Sequence, residues 1–272
     1  MHVVLALALG AAVGLVLGLT GAGGAILAVP LLMWGYGWSV QQAVPVALVA
    51  VAASATAGTL AGWDARLVRY RAAALIAGVG SAAAPFGLTA AAYLPDSVLA
   101  LAFAAVMLPV ALRMLASSRG TARALNPATP ATDSICALSE HSGRILWTRP
   151  CTVAIALTGA LTGFLSGLLG VGGGFVIVPV LRAVARLSMH AAIATSLMAV
   201  ALTSTAAVIA AVSQGIALPW HVALPFVGGA LGGMLAGRRL AALVPAPRLQ
   251  QGFAALALGV ALALAIGALR RA

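Results

Sequence analysis

Gly18-Leu19-Thr20-Gly21-Ala22-Gly23-Gly24, followed by Val29-Pro30, returns later in the chain as Gly167-Leu168-Leu169-Gly170-Val171-Gly172-Gly173-Gly174, followed by Val178-Pro179. The offset is 149 residues and needs no gap. Gly14 matches Gly163, Ser39 matches Ser188 and Thr56 matches Thr205 in the same register. Over residues 14–57, 17 of 44 positions are identical to residues 163–206, and the matched glycines and proline set this apart from chance identity between alanine-rich segments. The chain is therefore a tandem repeat. Glycine at this density holds a helix poorly, at about 1 kcal/mol per residue against alanine. Each copy of the motif thus marks a break between two helices.

The text around the motifs is apolar. Of 272 residues, 63% are hydrophobic and 7% charged, where a soluble domain carries roughly 25% charged residues. Apolar stretches near the ~20 residues that span a bilayer recur along the whole chain. The first repeat, 1–116, holds segments near 3–20, 24–36, 41–62, 71–92 and 98–116. The second, 150–272, holds them near 150–168, 174–187, 190–213, 219–237 and 250–269. Residues 117–149, rich in Pro, Ser, Thr and Arg, form a polar linker. The second segment of each repeat is short for the ~30 Å hydrocarbon core and reads as an early-ending crossing or half of a re-entrant hairpin. The expected fold is an all-α polytopic membrane protein of two repeats, about five segments each. The apolar N-terminal run lacks the basic n-region of a signal peptide and reads as a retained segment.

All fifteen basic residues are arginine, and the net charge is +11. On a soluble chain this would point to nucleic acid. Here the arginines flank apolar segments, so they report orientation instead. Arg66, Arg69 and Arg71 place the turn after segment three in the cytoplasm, and the arginines at 113–149 place the linker there too. Arg182, Arg186, Arg238, Arg239 and Arg248 continue the alternation; Arg270 and Arg271 run against it. With five segments per repeat, this orientation inverts one repeat relative to the other, a plan common among secondary transporters with a site at the repeat interface.

The glycine breaks have a use at that interface. Irregular backbone at membrane depth survives where it is buried in protein or lines a wet cavity. The helices after the breaks begin with exposed N–H groups and positive dipole ends, which favour an anion. Gly21, Gly23, Gly24, Gly170, Gly172, Gly173 and Gly174 are therefore candidate anion-binding positions. The competing reading, tight helix crossing through small residues, accounts for a single motif; duplication in register favours the site. Among hydroxyls, Thr20, Thr56, Thr205 and Ser204 are candidate donors, Thr56 and Thr205 being a matched pair, while Ser54, Thr59, Thr195, Ser196 and Thr203 share their helices. Each can instead return its hydrogen bond to its own helix backbone. His190, aligned with Gln41, and His221 read as residues at membrane ends. The five tryptophans fall near segment ends, as an aromatic belt does.

Asp64, Asp96, Asp133 and Glu140 all fall in loops. Without a carboxylate in an apolar segment there is no Asp/Glu proton relay and no charged cation ligand. Cys136 and Cys151 lie in or beside the linker with no further ligand, and read as unpaired thiols; neither a metal nor a cofactor is expected. A membrane electron relay would need cysteines inside the membrane. A Ser166–His221 protease lacks a nucleophile motif. A non-transporting membrane subunit or assembly factor remains the alternative class. Nothing in the sequence sets the oligomeric state.

The duplicated Gly-x-Gly-Gly motif, its downstream proline and the two halves resemble the TauE/SafE family of sulfite exporters and relatives. The strongest part is Leu168-Leu169-Gly170-Val171-Gly172-Gly173-Gly174 with Val178-Pro179; the first copy departs from it at Ala25. The resemblance implies a permease, not an enzyme, of the bacterial inner membrane. Its cargo would be a small sulfur-containing anion such as sulfite or an organosulfonate. Export suits an anion, since each elementary charge gains about 2.3 kcal/mol per 100 mV of inside-negative potential.

Overall fold

A computed structural model describes residues 2–21, 24–61, 68–95 and 147–241, apart from 171, 186, 188 and 217, together with Cys136 and parts of 97–112 and 251–263. Among the described residues every regular element is a helix. The order is α1 (His2–Thr20), α2 (Gly24–Tyr36), α3 (Val40–Ala61), α4 (Tyr70–Tyr93), α5 (Arg149–Leu169), α6 (Gly174–Ala185), α7 (Met189–Ser213) and α8 (Trp220–Ala241). Six of these, α1, α3, α4, α5, α7 and α8, are long and apolar enough to cross a bilayer. The expected fifth and tenth segments fall in the partly described stretches, which contain helical residues; most of the linker lies outside the described residues.

The breaks come where the glycines predict. Gly21 and Gly170, equivalent by the repeat, both adopt left-handed φ, 72° and 69°. Each closes the preceding helix through its N–H, to Leu17 O at 2.7 Å and to Ser166 O at 2.9 Å. That is the cap that ends a helix and that side chains with a Cβ resist. The chain then doubles back. Gly24 packs on Val13 and Leu17 of α1, and Gly35 on Leu9; Tyr36 Oη donates to His2 O at 2.6 Å. The short α2 (13 residues) and α6 (12 residues) are thus return arms of hairpins. They are also deeply buried: every residue from Gly24 to Pro30 is buried, as is every residue from Gly174 to Val178.

The long helices pack through glycine stripes. A Cβ at Gly10, Gly14 or Gly18 of α1 would collide with the carbonyl oxygens of Phe226, Ala230 and Met234 of α8. Conversely, one at Gly229, Gly233 or Gly237 would strike the carbonyls of Leu7, Ala11 and Leu15. Gly159, Gly163 and Gly167 of α5 meet Ile76, Gly80 and Ala84 of α4 in the same manner. Both pairs run parallel, with residue numbers rising together. Backbone contact at this closeness supplies dispersion that lipid cannot. Gly14, Gly18, Gly163 and Gly167 therefore serve packing.

The stripes tie the halves to each other, since α1 pairs with α8 and α5 with α4. α3 crosses α7 at the centre, α8 lies against α3, and α4 lies against α7. Exchanging the two halves reproduces the same set of neighbours.

The cysteines correct the sequence reading. Cys136 and Cys151 are joined by a disulfide, with Cα atoms 5.0 Å apart. Cys151 lies in the first turn of α5, behind the N-cap Thr148, whose hydroxyl accepts from Cys151 N–H. Cys136 N–H donates to Val184 O at the end of α6, 3.0 Å away. The linker thus fastens both ends of the second hairpin. Spacing gave no sign of this, because a pair fifteen residues apart in and beside a polar linker has no periodic signature.

Candidate anion site

The two breaks reach equivalent places on the central helices. A Cβ at Gly21 would overlap Ile193 of α7; one at Gly170 would overlap Val44 of α3, the repeat partner of Ile193. Gly172, also left-handed at φ 68°, lies where α3 and α7 cross. A Cβ there would stand 2.9 Å from Val51 Cγ1, 3.1 Å from Val200 Cγ1 and 2.8 Å from Ser204 Oγ. Val51 and Val200 are repeat partners, so the second break rests on the pseudo-symmetric centre of the fold. Gly173, at φ 67°, backs onto Thr162 of α5. The α6 helix starts from this backbone, Val176 N–H closing onto Gly173 O at 3.1 Å, and the first amides of a helix have no acceptor within it.

One unpartnered hydroxyl, that of Ser204, reaches this point, and two more lie on α3 and α5, which pass beside it. Ser54, Ser166 and Ser204 are all buried, and the Oγ of each makes no hydrogen bond. A buried unsatisfied hydroxyl costs about 1–3 kcal/mol, so each is a group that a polar ligand within reach would stabilise. Ser204 is four residues past Val200 and Ser54 three past Val51, each about one helical turn from the crossing along its own helix.

The other expected site residues are placed differently. Thr56 and Thr205 are exposed, and each donates to its own helix, to Ala52 O and Ala201 O at 2.7 Å. Thr20 likewise donates to Val16 O at 2.8 Å. Gly24 opens α2 and packs on α1. Gly174 opens α6 and its carbonyl accepts from Ser196 Oγ at 3.5 Å. Gly23 lies outside the described residues. The structure thus brings together Gly172 and Ser204, adds Gly170 and Gly173 on the same break, and turns Thr56 and Thr205 outward. Sequence reasoning counted Ser54 among the possible donors without selecting it and weighed Ser166 only as a nucleophile; their burial, which sets them apart, depends on packing between helices. Ser166 Oγ makes no bond to the exposed His221, so the two do not form a catalytic pair.

The chain matches the family model described as "Sulfite exporter TauE/SafE" over residues 6–264. It belongs to the TauE/SafE family. Two proteins, each named "Probable membrane transporter protein", from Xylella fastidiosa strains 9a5c and Temecula1 / ATCC 700964, are each 34% identical over 236 residues, covering 84% of this chain and 83% of their own. No solved structure matches this TauE/SafE chain. The match runs through both glycine breaks and all eight named helices, so the multi-pass architecture and the central crossing both belong to the TauE/SafE region.

Proposed function

We propose that this TauE/SafE chain is a secondary transporter of small sulfur-containing oxyanions, sulfite or organosulfonates, and that it exports them across the bacterial inner membrane. The observation that carries the reading is the second glycine break at the α3–α7 crossing, beside the unpartnered hydroxyl of Ser204. Left-handed glycines admit close approach of a ligand to backbone N–H groups, and hydroxyls add donors suited to sulfur–oxygen acceptors. All four carboxylates lie outside the apolar segments, which favours an anion over a cation. The family description and the names of the relatives agree with transport rather than catalysis.

The two repeats are read as inverted. α1 ends beside Ile193, near the start of α7, whereas α5 ends beside Val44, near the start of α3. α3 and α7 meet at Val51 and Val200, and further on Gly58 of α3 approaches Leu197 of α7, so their numbers run in opposite senses. The two hairpins would then enter from opposite ends of the molecule, with the 117–149 linker on the cytoplasmic side by the arginine pattern.

Sulfite efflux from loaded proteoliposomes tests this, comparing the native chain with a Ser54→Ala, Ser204→Ala variant. Efflux that is saturable, accelerated by a negative interior and weakened in half-saturation by the variant is expected. A native chain that moves neither sulfite nor any of a panel of sulfonates removes the sulfur-anion assignment.

A further inference from the structure

The inner ends of the helices carry two arginines whose placement differs from that of their neighbours. Arg71 and Arg239 are exposed, as residues that only orient a chain are. Arg69 and Arg238 are part-buried. Arg69 is the N-cap of α4, with its backbone N–H donating to Thr195 Oγ1 of α7 at 3.1 Å. Its Nε is sealed from solvent and makes no hydrogen bond. Arg238 of α8 points Nη1 at Gly58 O of α3. Neither guanidinium makes an ion pair among the described residues, and burial of a cation without an anion is costly.

The backbone of Arg69 and the acceptor of Arg238 both adjoin one turn of α7, Ile193–Leu197. Arg69 N–H donates to Thr195 Oγ1, and Gly58, whose carbonyl receives Arg238, approaches Leu197 Cδ1. The first break touches the same turn through Gly21 and Ile193, and the second touches it through Ser196 and Gly174 O. Thr195 and Ser196 are fully buried. The repeat partners of this cluster lack its cations: Thr195 and Ser196 correspond to Val46 and Ala47, Arg69 to Leu218, and Arg238 to Thr89. The two ends thus differ, the α7 start being cationic at positions where the α3 start is not.

We infer that Arg69 and Arg238, with Thr195, form an anion-loading mouth at the α7 start, and that they set affinity for anions taken from that side alone. The inference deepens the oxyanion-transport reading and rests on it for the cargo. A guanidinium offers forked N–H donors to an oxyanion at charge-assisted strength. The uncompensated Nε of Arg69 is the group such a ligand would complete. The arginine pattern puts this end in the cytoplasm, so loading there precedes export.

The test uses inside-out and right-side-out membrane vesicles holding the full-length chain, with sulfite supplied at one face. Variants are Arg69→Gln and Arg238→Gln, with Arg71→Gln and Arg239→Gln as exposed controls and Arg69→Lys to keep the charge. Loss of a charge-assisted contact is expected to raise KM about tenfold or more when sulfite meets the α7-start face. KM at the other face should stay within about twofold, the controls should match the native chain, and Arg69→Lys should recover part of the loss. Equal KM for native and Gln variants at both faces overturns the mouth while leaving the transport reading intact. Anion-dependent thermal stabilisation of the solubilised protein, tried with sulfite, sulfate, thiosulfate, taurine and phosphate, separates the remaining cases. Stabilisation by a non-sulfur anion that the Gln variants lose, without sulfite transport, keeps the mouth and removes the sulfur cargo. No stabilisation of the native chain and no transport removes both.

Discussion

The two glycine breaks share a backbone and differ in chemistry. Gly21 and Gly170 adopt the same φ and press on equivalent residues, Ile193 and Val44. Around the second break, however, stand Thr162, Ser166 and Ser204, all buried. Their repeat partners around the first are Val13, Leu17 and Ala55. Of the buried polar side chains among the described residues, only Ser54 comes from the first repeat. Duplication thus fixed geometry in both halves, because a left-handed cap and a backbone-tight crossing tolerate only glycine. Polarity was free to concentrate in one.

That contrast can be broken most severely at its centre. Gly172→Leu places a side chain at φ 68° against Val51, Val200 and Ser204. Strain and overpacking together are expected to cost about 3 kcal/mol or more, with transport lost by over about a hundredfold. Initial efflux rates, normalised to inserted protein, read it. Wild-type rates from this variant would show that the central break is not on the path.

The tether on the second hairpin comes next. Cys151→Ser opens a loop whose ends are 15 residues apart, and about 3 kcal/mol of stability is expected to go with it. The loss should show in thermal or denaturant unfolding under oxidising conditions and vanish once dithiothreitol has opened the bond in both proteins. The first hairpin has no such tether, so Tyr36→Phe, which removes the bond to His2 O, should cost only about 1 kcal/mol. The arginine pattern puts the disulfide on the side where cellular thiols reduce exposed pairs. Both sulfurs are buried, Cys136 at 1% and Cys151 at 0% exposure. Maleimide added to intact cells is therefore expected to label neither until the protein is denatured and reduced.

Smaller again is Ser204→Ala, for which KM is expected to rise about three- to tenfold, as one hydrogen bond of ordinary strength is removed. Leu17→Ser asks the converse question, by giving the first hairpin the hydroxyl that the second owns at Ser166. Burying a new hydroxyl should weaken folding by about 1–3 kcal/mol without improving affinity. The smallest effect belongs to Thr56→Val and Thr205→Val. Their hydroxyls only return to Ala52 O and Ala201 O, so stability and KM should both move within about 0.5 kcal/mol.

That last pair shows how far the sequence was legible. Segment ends, the two breaks and the repeat register could be read directly, since periodic apolarity and glycine runs have local causes. Thr56 and Thr205 looked equivalent in text because they are identical in register, yet which face of a helix they occupy depends on the packing of α3 on α7. The glycines posed the same difficulty. Gly14, Gly18, Gly163 and Gly167 press backbone on backbone, whereas Gly21, Gly170, Gly172 and Gly173 turn left-handed; the letter is the same, and only φ separates them. Arg69 and Arg238 were hidden among the orienting arginines for a related reason. Burial is decided by helices far away in sequence, and charge alone does not report it.

The α1–α8 stripe also fixes an order of events during synthesis. α1 is made well before α8, and its Leu7, Ala11 and Leu15 carbonyls fit against Gly229, Gly233 and Gly237 of that later helix. Until α8 arrives, the glycine groove of α1 stays open to lipid or to other helices. A ribosome stalled after the first repeat therefore leaves a half with two unmatched surfaces, the α1 groove and the α4 face that awaits α5. Such a half is expected to be less stable than the full chain, since neither stripe can close.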